Sequence, residues 1–263
     1  MDSIIVIKIG GNIIDDENAL HQFLSDFSKI NQPKILIHGG GKIATQLCEK
    51  LQIETQLIDG RRVTDEKTLD VVTMVYAGLI NKKIVAKLQA FDVNAIGFTG
   101  ADANSIQSHK RVHNEIDFGF VGDIDFVNAD FFLDLIKNNF TPILAPITHD
   151  KKGNLLNTNA DSMASQIAIA LSKYKPIEFY YCFEKDGLLK DINDNSSIIH
   201  QVFLNEIETL KSTNIISDGM IPKINNVEQA LKNGVHKVIL CHAKDVLKNV
   251  NENAIFGTTF TIN

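Results

Sequence analysis

No stretch of 18 consecutive apolar residues occurs in the 263-residue chain, so no segment has the length and character to span a bilayer as a helix. Basic charge is in short supply. Lys and Arg number 26 against 32 Asp and Glu, leaving a net charge of −6 and a pI near 5.7. That balance argues against nucleic acid or an anionic membrane as the main partner. Cysteine is scarce too: Cys48, Cys182 and Cys241 are scattered, odd in number and without a CxxC pair, as expected of reduced, mostly buried thiols in the cytoplasm. The opening Met1-Asp2-Ser3 leads straight into Ile4-Ile5-Val6-Ile7 with neither a basic n-region nor a cleavage site, so no secretory signal is expected. Internal repeats and low-complexity segments are also missing. What remains is an ordinary globular composition, 44% apolar and 22% charged, enough for one large domain or two lobes of about 130 residues each.

Short β-branched runs alternate with longer helical stretches, the signature of an α/β chain. Ile4–Ile9 and Lys34–His38 read as buried strands and residues 19–30 as a helix. Thr64 can cap a long helix reaching about residue 91, with Asp65 and Glu66 in its favoured first turn. Its apolar positions, among them Leu69, Val72, Leu79 and Ile84, occupy more than one face, so the helix is expected to meet a subunit partner as well as a sheet. Residues 95–98 and 141–145 are further strands, and the polar stretch after Gly100 is expected to form hairpins. The pattern restarts after Lys173-Tyr174-Lys175-Pro176 with a strand at 177–182, helices near 204–211 and 221–233, and a strand at 237–240. A lobe boundary is placed there, dividing the chain into residues 1–172 and 173–263.

Four features carry chemistry. Lys8 is a cation inside an apolar strand, followed by Gly10 and Gly11. It either snorkels from an edge strand or is delivered to the C-terminal end of an open sheet, where ligands bind and glycines admit an anion to the backbone. His38-Gly39-Gly40-Gly41-Lys42 is again placed strand, glycines, helix. It is either a tight turn or a cradle of backbone N–H groups for an anion, and it matches neither a Walker A loop nor a GxGxxG fingerprint. His38 reads as a hydrogen-bonding strand end rather than a catalyst. Gly60-Arg61-Arg62-Val63-Thr64 is a solvated basic turn or a guanidinium site for a carboxylate. In Asn157-Thr158-Asn159-Ala160-Asp161 and Asp218-Gly219-Met220-Ile221-Pro222-Lys223, Asn159 and Asp218 read as helix caps. Lys223 sits in a first turn, against the helix dipole, so an anion is expected beside it.

Together these pieces resemble the amino acid kinase family and, within it, the N-acetylglutamate kinases. The resemblance runs in order through Ile7-Lys8-Ile9-Gly10-Gly11, Ile37-His38-Gly39-Gly40-Gly41, Asp59-Gly60-Arg61-Arg62-Val63-Thr64, Asn81-Lys82, Gly119-Phe120-Val121-Gly122-Asp123-Ile124 and the two helix-mouth segments. It implies a three-layer αβα sandwich around an open, mainly parallel sheet, with an N-terminal lobe for the acyl amino acid and for dimerisation and a C-terminal lobe for ATP. By resemblance, Lys8 and Lys223 stabilise the transferring phosphoryl group and Asp161 holds both lysines. Gly40 and Gly41 are backbone donors near the acceptor, while Arg62 clamps its α-carboxylate with Asn157 as a second contact. Gly10, Gly11, Glu184, Gly187, Asp218 and Gly219 match nucleotide-binding positions. The segment Cys182-Phe183-Glu184-Lys185-Asp186-Gly187 departs from the usual Thr/Ser-Asp-Val-x-Gly loop, which touches the adenine and ribose contacts rather than the phosphoryl chemistry.

The implied reaction moves the γ-phosphoryl of ATP, with Mg²⁺ carried on its phosphates and no dedicated protein metal site, onto the side-chain carboxylate of N-acetyl-L-glutamate in arginine biosynthesis. Another N-acyl-glutamate, such as N-succinylglutamate, is an open alternative, and a non-catalytic amino-acid or nucleotide sensor of the same fold is a remote one. Arginine-inhibited relatives carry an extra N-terminal helix. Here the Lys8 strand starts at about residue 4, so a cytoplasmic homodimer without that feedback is expected.

Overall fold

The runs Ile4–Ile9 and Ile177–Phe183 show no alternation of polar and apolar residues because both of their faces are covered, as in strands inside an α/β sheet. The structure, a computed structural model, describes residues 3–58, 60–191, 194, 197–216, 220–251 and 256–263. Its strands are β1 (Ile4–Ile9), β2 (Lys34–His38), β3 (Leu57–Ile58), β4 (Arg61–Arg62), β5 (Ala95–Phe98), β6 (Ile106–Lys110) and β7 (Val121–Val127). There follow β8 (Thr141–Leu144), β9 (Ile147–His149), β10 (Leu155–Thr158), β11 (Ile177–Phe183), β12 (Gln201–Phe203), β13 (Lys237–His242) and β14 (Thr258–Thr261). Eight of them form one sheet in the order β12-β14-β13-β11-β1-β2-β8-β5, parallel throughout except where β14 meets β13. β6, β7, β9 and β10 close into a small second sheet, which includes the hairpin expected after Gly100, and β3 and β4 make a short ribbon.

The helices are α1 (Gly11–Asp15), α2 (Glu17–Ser28), α3 (Gly41–Lys50), α4 (Glu66–Thr73) and α5 (Asn81–Gln89), then α6 (Ala129–Lys137), α7 (Ala160–Ser172), α8 (Ile207–Ser212), α9 (Ile221–Lys232) and α10 (Val246–Asn251). Alternation along β1 sorts them into two layers. Ile5, Ile7 and Ile9 face a core shared with Phe23 and Phe27 of α2, Val72 of α4 and Ile84 and Leu88 of α5. Ile4 and Val6 face the other core, with Met163, Ile167 and Leu171 of α7 and Ile224, Val227 and Leu231 of α9. The result is the αβα sandwich. Because β1 pairs with β11, one sheet runs through the chain on both sides of residue 173.

Two details of the long helix differ from the sequence expectation. Its cap is Asp65, whose carboxylate accepts from Thr68 N at 2.8 Å, while the Thr64 hydroxyl donates to Arg62 O at 2.7 Å. The expected cap lies one residue too early because Thr64 is drawn into the turn behind it. The helix also widens into a seven-residue π segment, Met74–Ile80, before continuing as α5. The wider turn brings Tyr76 and Ile80 against the glycine loop. There Gly40 has φ +149°, and any Cβ would collide with Ile80 Cδ1. Gly97 on β5 lets Asn81 in on the same terms.

His38 ends β2 in full burial. Its Nδ1 lies 2.8 Å from Gly39 O, and its Nε2 is 3.2 Å from Asn81 Nδ2, which also donates to Ile143 O at 3.0 Å. With Nδ1–H donating to the carbonyl, Nε2 accepts from the amide, so the network suits a neutral ring. Burial pushes its pKa down to about 4, against the Gly39 bond, which favours the cation. The unfolded ring has a pKa of about 6.5. As pH falls, the unfolded chain therefore takes up the proton first. The stability contributed by neutral His38 is complete above about pH 6.5 and drains away between about 6.5 and 4, by about 3 kcal/mol. Denaturant titrations at pH 7, 6, 5 and 4 should show this slope, and His38→Gln should flatten it. An equally steep slope in the variant would rule out His38 as its source.

Candidate active site

From β1 the chain passes to β2 on one side, and β11 later returns on the other. In a parallel sheet this reversal opens a crevice at the C-terminal ends of the strands. Lys8 stands at that point. It is not on an edge: β1 has parallel neighbours on both sides, and Lys8 is 8% exposed. Strand alternation continues the Ile4–Val6 face to Lys8 and aims it at α7.

Asp161, the second residue of α7, meets it there. Lys8 Nζ lies 2.6 Å from Asp161 Oδ1 as an ion pair outside good hydrogen-bond alignment, and Lys223 Nζ donates to Asp161 Oδ2 at 3.1 Å. Asn159 caps α7 by accepting from Ser162 N at 2.9 Å, and Asp161 in the first turn is favoured by the helix dipole. Lys223 is the third residue of α9, so the anion its position demands is this carboxylate. Burial by itself would raise the Asp161 pKa. Lys8 and then Lys223 overcome it and hold the carboxyl at about 2. One carboxylate thus carries two ammonium groups, and the trio keeps a charge of +1 facing the crevice.

Beside the trio is a pocket lined by Gly39, Gly40, Gly41, Arg62, Asn157 and Ala160, with Tyr76 and Thr158 closing it. Arg62 is 6% exposed. Its Nη2 donates to Gly41 O at 3.0 Å and to Thr45 Oγ1 at 2.7 Å, while its Nε and Nη1 are buried without a hydrogen-bond partner among the described residues. A buried guanidinium with two unused donors is a site for an anion, and its fork matches a carboxylate. Asn157 Nδ2 donates to Thr64 Oγ1 at 3.0 Å, which fixes that side chain at the pocket wall. Nothing in the residue pattern singles out Tyr76, because only the π turn directs it inward. Its hydroxyl pKa is raised by burial, with Arg62 pulling the other way.

The remaining candidates gather around neighbouring strand ends. Gly10 N donates to Cys182 O at 3.1 Å, and Gly11 starts α1 with open space where a Cβ would stand. Glu184 is exposed on the loop after β11. Gly187 is buried on that loop, where Leu188 N donates to Thr258 Oγ1 at 2.8 Å. Asp218 and Gly219 lie outside the described residues, as does Asp59. All three cysteines are free and buried. Among the described residues, no group of three or more His, Cys, Asp or Glu is placed to hold a metal, and no helix is long and apolar enough to cross a membrane. Two ammonium groups, a glycine loop leading into the N-terminus of α3 and an anion-seeking guanidinium at one crevice suit the neutralisation of a phosphoryl group in transfer.

Proteins of similar sequence and of similar shape are known. A protein from Cytophaga hutchinsonii named acetylglutamate kinase is 49% identical over 264 residues, covering 100% of both chains. Among solved structures, an N-acetylglutamate synthase from Neisseria gonorrhoeae superposes with a TM-score of 0.85 at 19% identity, over 98% of this chain and 59% of that one. Carbamate kinase from Giardia lamblia superposes with a TM-score of 0.73 at 13% identity, over 100% and 99%. These two likenesses show the fold. The family model for the amino acid kinase family matches residues 3–242, and the chain belongs to that family.

Proposed function

We propose that this protein transfers the γ-phosphoryl group of ATP to the side-chain carboxylate of N-acetyl-L-glutamate, the acyl-phosphate-forming step of arginine biosynthesis. The observation that carries the reading is Asp161 holding Lys8 and Lys223 beside a pocket whose buried Arg62 has no counter-ion among the described residues. Relatives named acetylglutamate kinase support the choice of acceptor.

A glutamate carboxyl has a pKa near 4.3, so the acceptor is already a nucleophile at neutral pH and no general base is required. One of its oxygens forms the bond to the γ-phosphorus as the bond to the β–γ bridging oxygen breaks, and ADP leaves with the electron pair. The obstacle is the approach of an anion to a polyanion, so positioning and charge neutralisation supply the catalysis. Lys8 and Lys223 stabilise the charge on the moving group, and Asp161 keeps them in place. Arg62, with Asn157, holds the acceptor α-carboxylate, and the N–H groups of Gly40 and Gly41 face the reacting end. Gly10, Gly11, Glu184 and Gly187, with Asp218 and Gly219, serve the nucleotide. Mg²⁺ is proposed to travel on the ATP phosphates, since such an ion keeps water and substrate oxygens as ligands.

The same reading assigns residues 1–172 to the acyl amino acid and 173–263 to ATP, places the protein in the cytoplasm, and pairs it as a homodimer through the helix after Thr64. Met74 (55% exposed) and Leu79 (44% exposed) support that pairing, as apolar residues turned outward on this helix.

Trapping the acyl phosphate as a hydroxamate, with MgATP and N-acetyl-L-glutamate, tests the reaction; no hydroxamate would contradict it. Lys8→Arg should lower kcat by about 10²–10³ while the protein stays folded, and near-normal turnover would remove Lys8 from the chemistry. Arg62→Lys should mainly raise the acceptor KM, because the bidentate clamp is lost. An unchanged KM would make Arg62 a structural residue only. Asp161→Asn leaves two crowded ammonium groups without a counter-charge and should cost about 3 kcal/mol in denaturant melts as well as turnover; a variant as stable as the parent would mean that the pairs hold nothing in place.

A further inference from the structure

Arg62 and Asn157, the two residues assigned to the acceptor α-carboxylate, come from distant segments, and Thr64 touches both. Its hydroxyl donates to Arg62 O at 2.7 Å, and the same oxygen accepts from Asn157 Nδ2 at 3.0 Å. Thr64 is fully buried and Asn157 is nearly so, which leaves bulk water no part in the arrangement. The main chains are held separately. Thr64 N donates to Phe118 O at 3.1 Å, Phe120 N donates to Thr64 O at 2.7 Å, and Asn157 N donates to Phe120 O at 2.8 Å. Segment 118–120 therefore stitches the turn before α4 to β10 without using the Thr64 side chain. The helix does not need the hydroxyl either, since Asp65 is its cap. What the hydroxyl decides is the amide of Asn157. A hydroxyl has one proton, and here it is committed to Arg62 O. Toward Asn157 the oxygen can only accept, so the amide must present Nδ2 and not Oδ1. A flipped amide would set two oxygens against each other with no proton between them, a buried pair left unsatisfied.

We infer that Thr64 is a positioning residue for the acceptor. Its hydroxyl orients the Asn157 amide so that the second Nδ2–H, rather than Oδ1, is offered to the α-carboxylate that Arg62 binds. The inference rests on the proposed kinase reading and adds to it the group that sets the polarity of the second contact. Asn157 stands on the pocket wall, and Thr64, buried next to it, acts through it. Without the hydroxyl, Asn157 loses the partner that selects its orientation, and a flipped amide turns an oxygen toward an anion. Arg62 O loses a donor at the same time, but the guanidinium stays tied to Gly41 O and Thr45 Oγ1. The effect therefore falls on acceptor binding and leaves Lys8, Asp161 and Lys223 untouched.

The test is the hydroxamate assay with MgATP and N-acetyl-L-glutamate on the parent protein and on Thr64→Val, which keeps the shape and removes the hydroxyl. The variant should raise the acceptor KM by about tenfold or more, with kcat and the KM for ATP changed by less than about threefold. Thr64→Ser restores the hydroxyl and should bring the acceptor KM back to within about threefold of the parent. In an Asn157→Ala background, Thr64→Val should change the acceptor KM by less than about threefold, because the amide it orients is gone. A residue that merely packs would move all three constants together, or would be served as well by valine as by threonine. Either result overturns the inference. So does a serine variant that fails to restore the KM, or a valine effect undiminished beside Asn157→Ala. Should Thr64→Val not fold, Thr64→Ala takes its place with the same expected and contradicting results. With an active parent, any of those contradictions leaves the kinase reading standing. No hydroxamate from the parent overturns that reading and this inference with it.

Discussion

The carboxylate of Asp161 is the constraint around which the crevice is arranged. Lys8 and Lys223 come from different elements, a central strand and the first turn of a helix, and each is poorly placed without an anion. Lys8 would be a buried charge among aliphatic residues, and Lys223 would oppose the dipole of α9. Asp161 answers both, at 2.6 and 3.1 Å, from the favourable end of α7. The sheet is what allows this. Residues 8, 161 and 223 meet because β1 lies at the switch point and α7 and α9 pack together on the face that Ile4 and Val6 begin. Two cations held by one anion leave a standing positive charge, the electrostatic condition that phosphoryl transfer requires.

The second arrangement is mechanical. The glycine loop after β2 has to come close both to a ligand and to the helix behind it. At Gly40 the backbone adopts a conformation that side chains rarely take, with Ile80 and Tyr76 filling the place of a Cβ. The π segment supplies those two residues, and immediately after it Asn81 ties His38 to Ile143 O. The loop is thereby braced from beneath by an apolar contact and a neutral hydrogen-bond network, and its three glycines line the pocket. Widened helical turns of this kind recur at functional sites because they redirect side chains that a regular helix would point elsewhere.

Much of this is legible in the residues, and the reasons differ from case to case. The strands around Lys8 and His38 are continuous apolar runs, which a buried parallel sheet demands. The first-turn position of Lys223 is enough on its own to signal an anion. What stays hidden depends on departures from regular geometry or on long-range pairing. A 3.6-residue periodicity cannot reveal a π turn, so Tyr76 reads as one more core residue of a long helix. Thr64 and Asp65 are equally good caps on paper, and only the turn that binds the Thr64 hydroxyl to Arg62 O decides between them. The doublet Arg61-Arg62 looks like one basic patch, whereas β4 sends its two members to opposite walls with different partners.

The most direct test of this charge arrangement is the ionisation of Asp161 in the folded protein. Carbon-13 labelling of the aspartate carboxyl groups, with Asp161→Asn to assign the signal, allows it to be followed by NMR from pH 7 to pH 4. The expected signal stays flat, because Lys8 and Lys223 keep the carboxyl ionised to about pH 2, whereas an ordinary aspartate is close to half protonated at pH 4. A signal half-shifted at pH 4 would mean that the two lysines do not hold the carboxylate, and the central charge arrangement would fail with it.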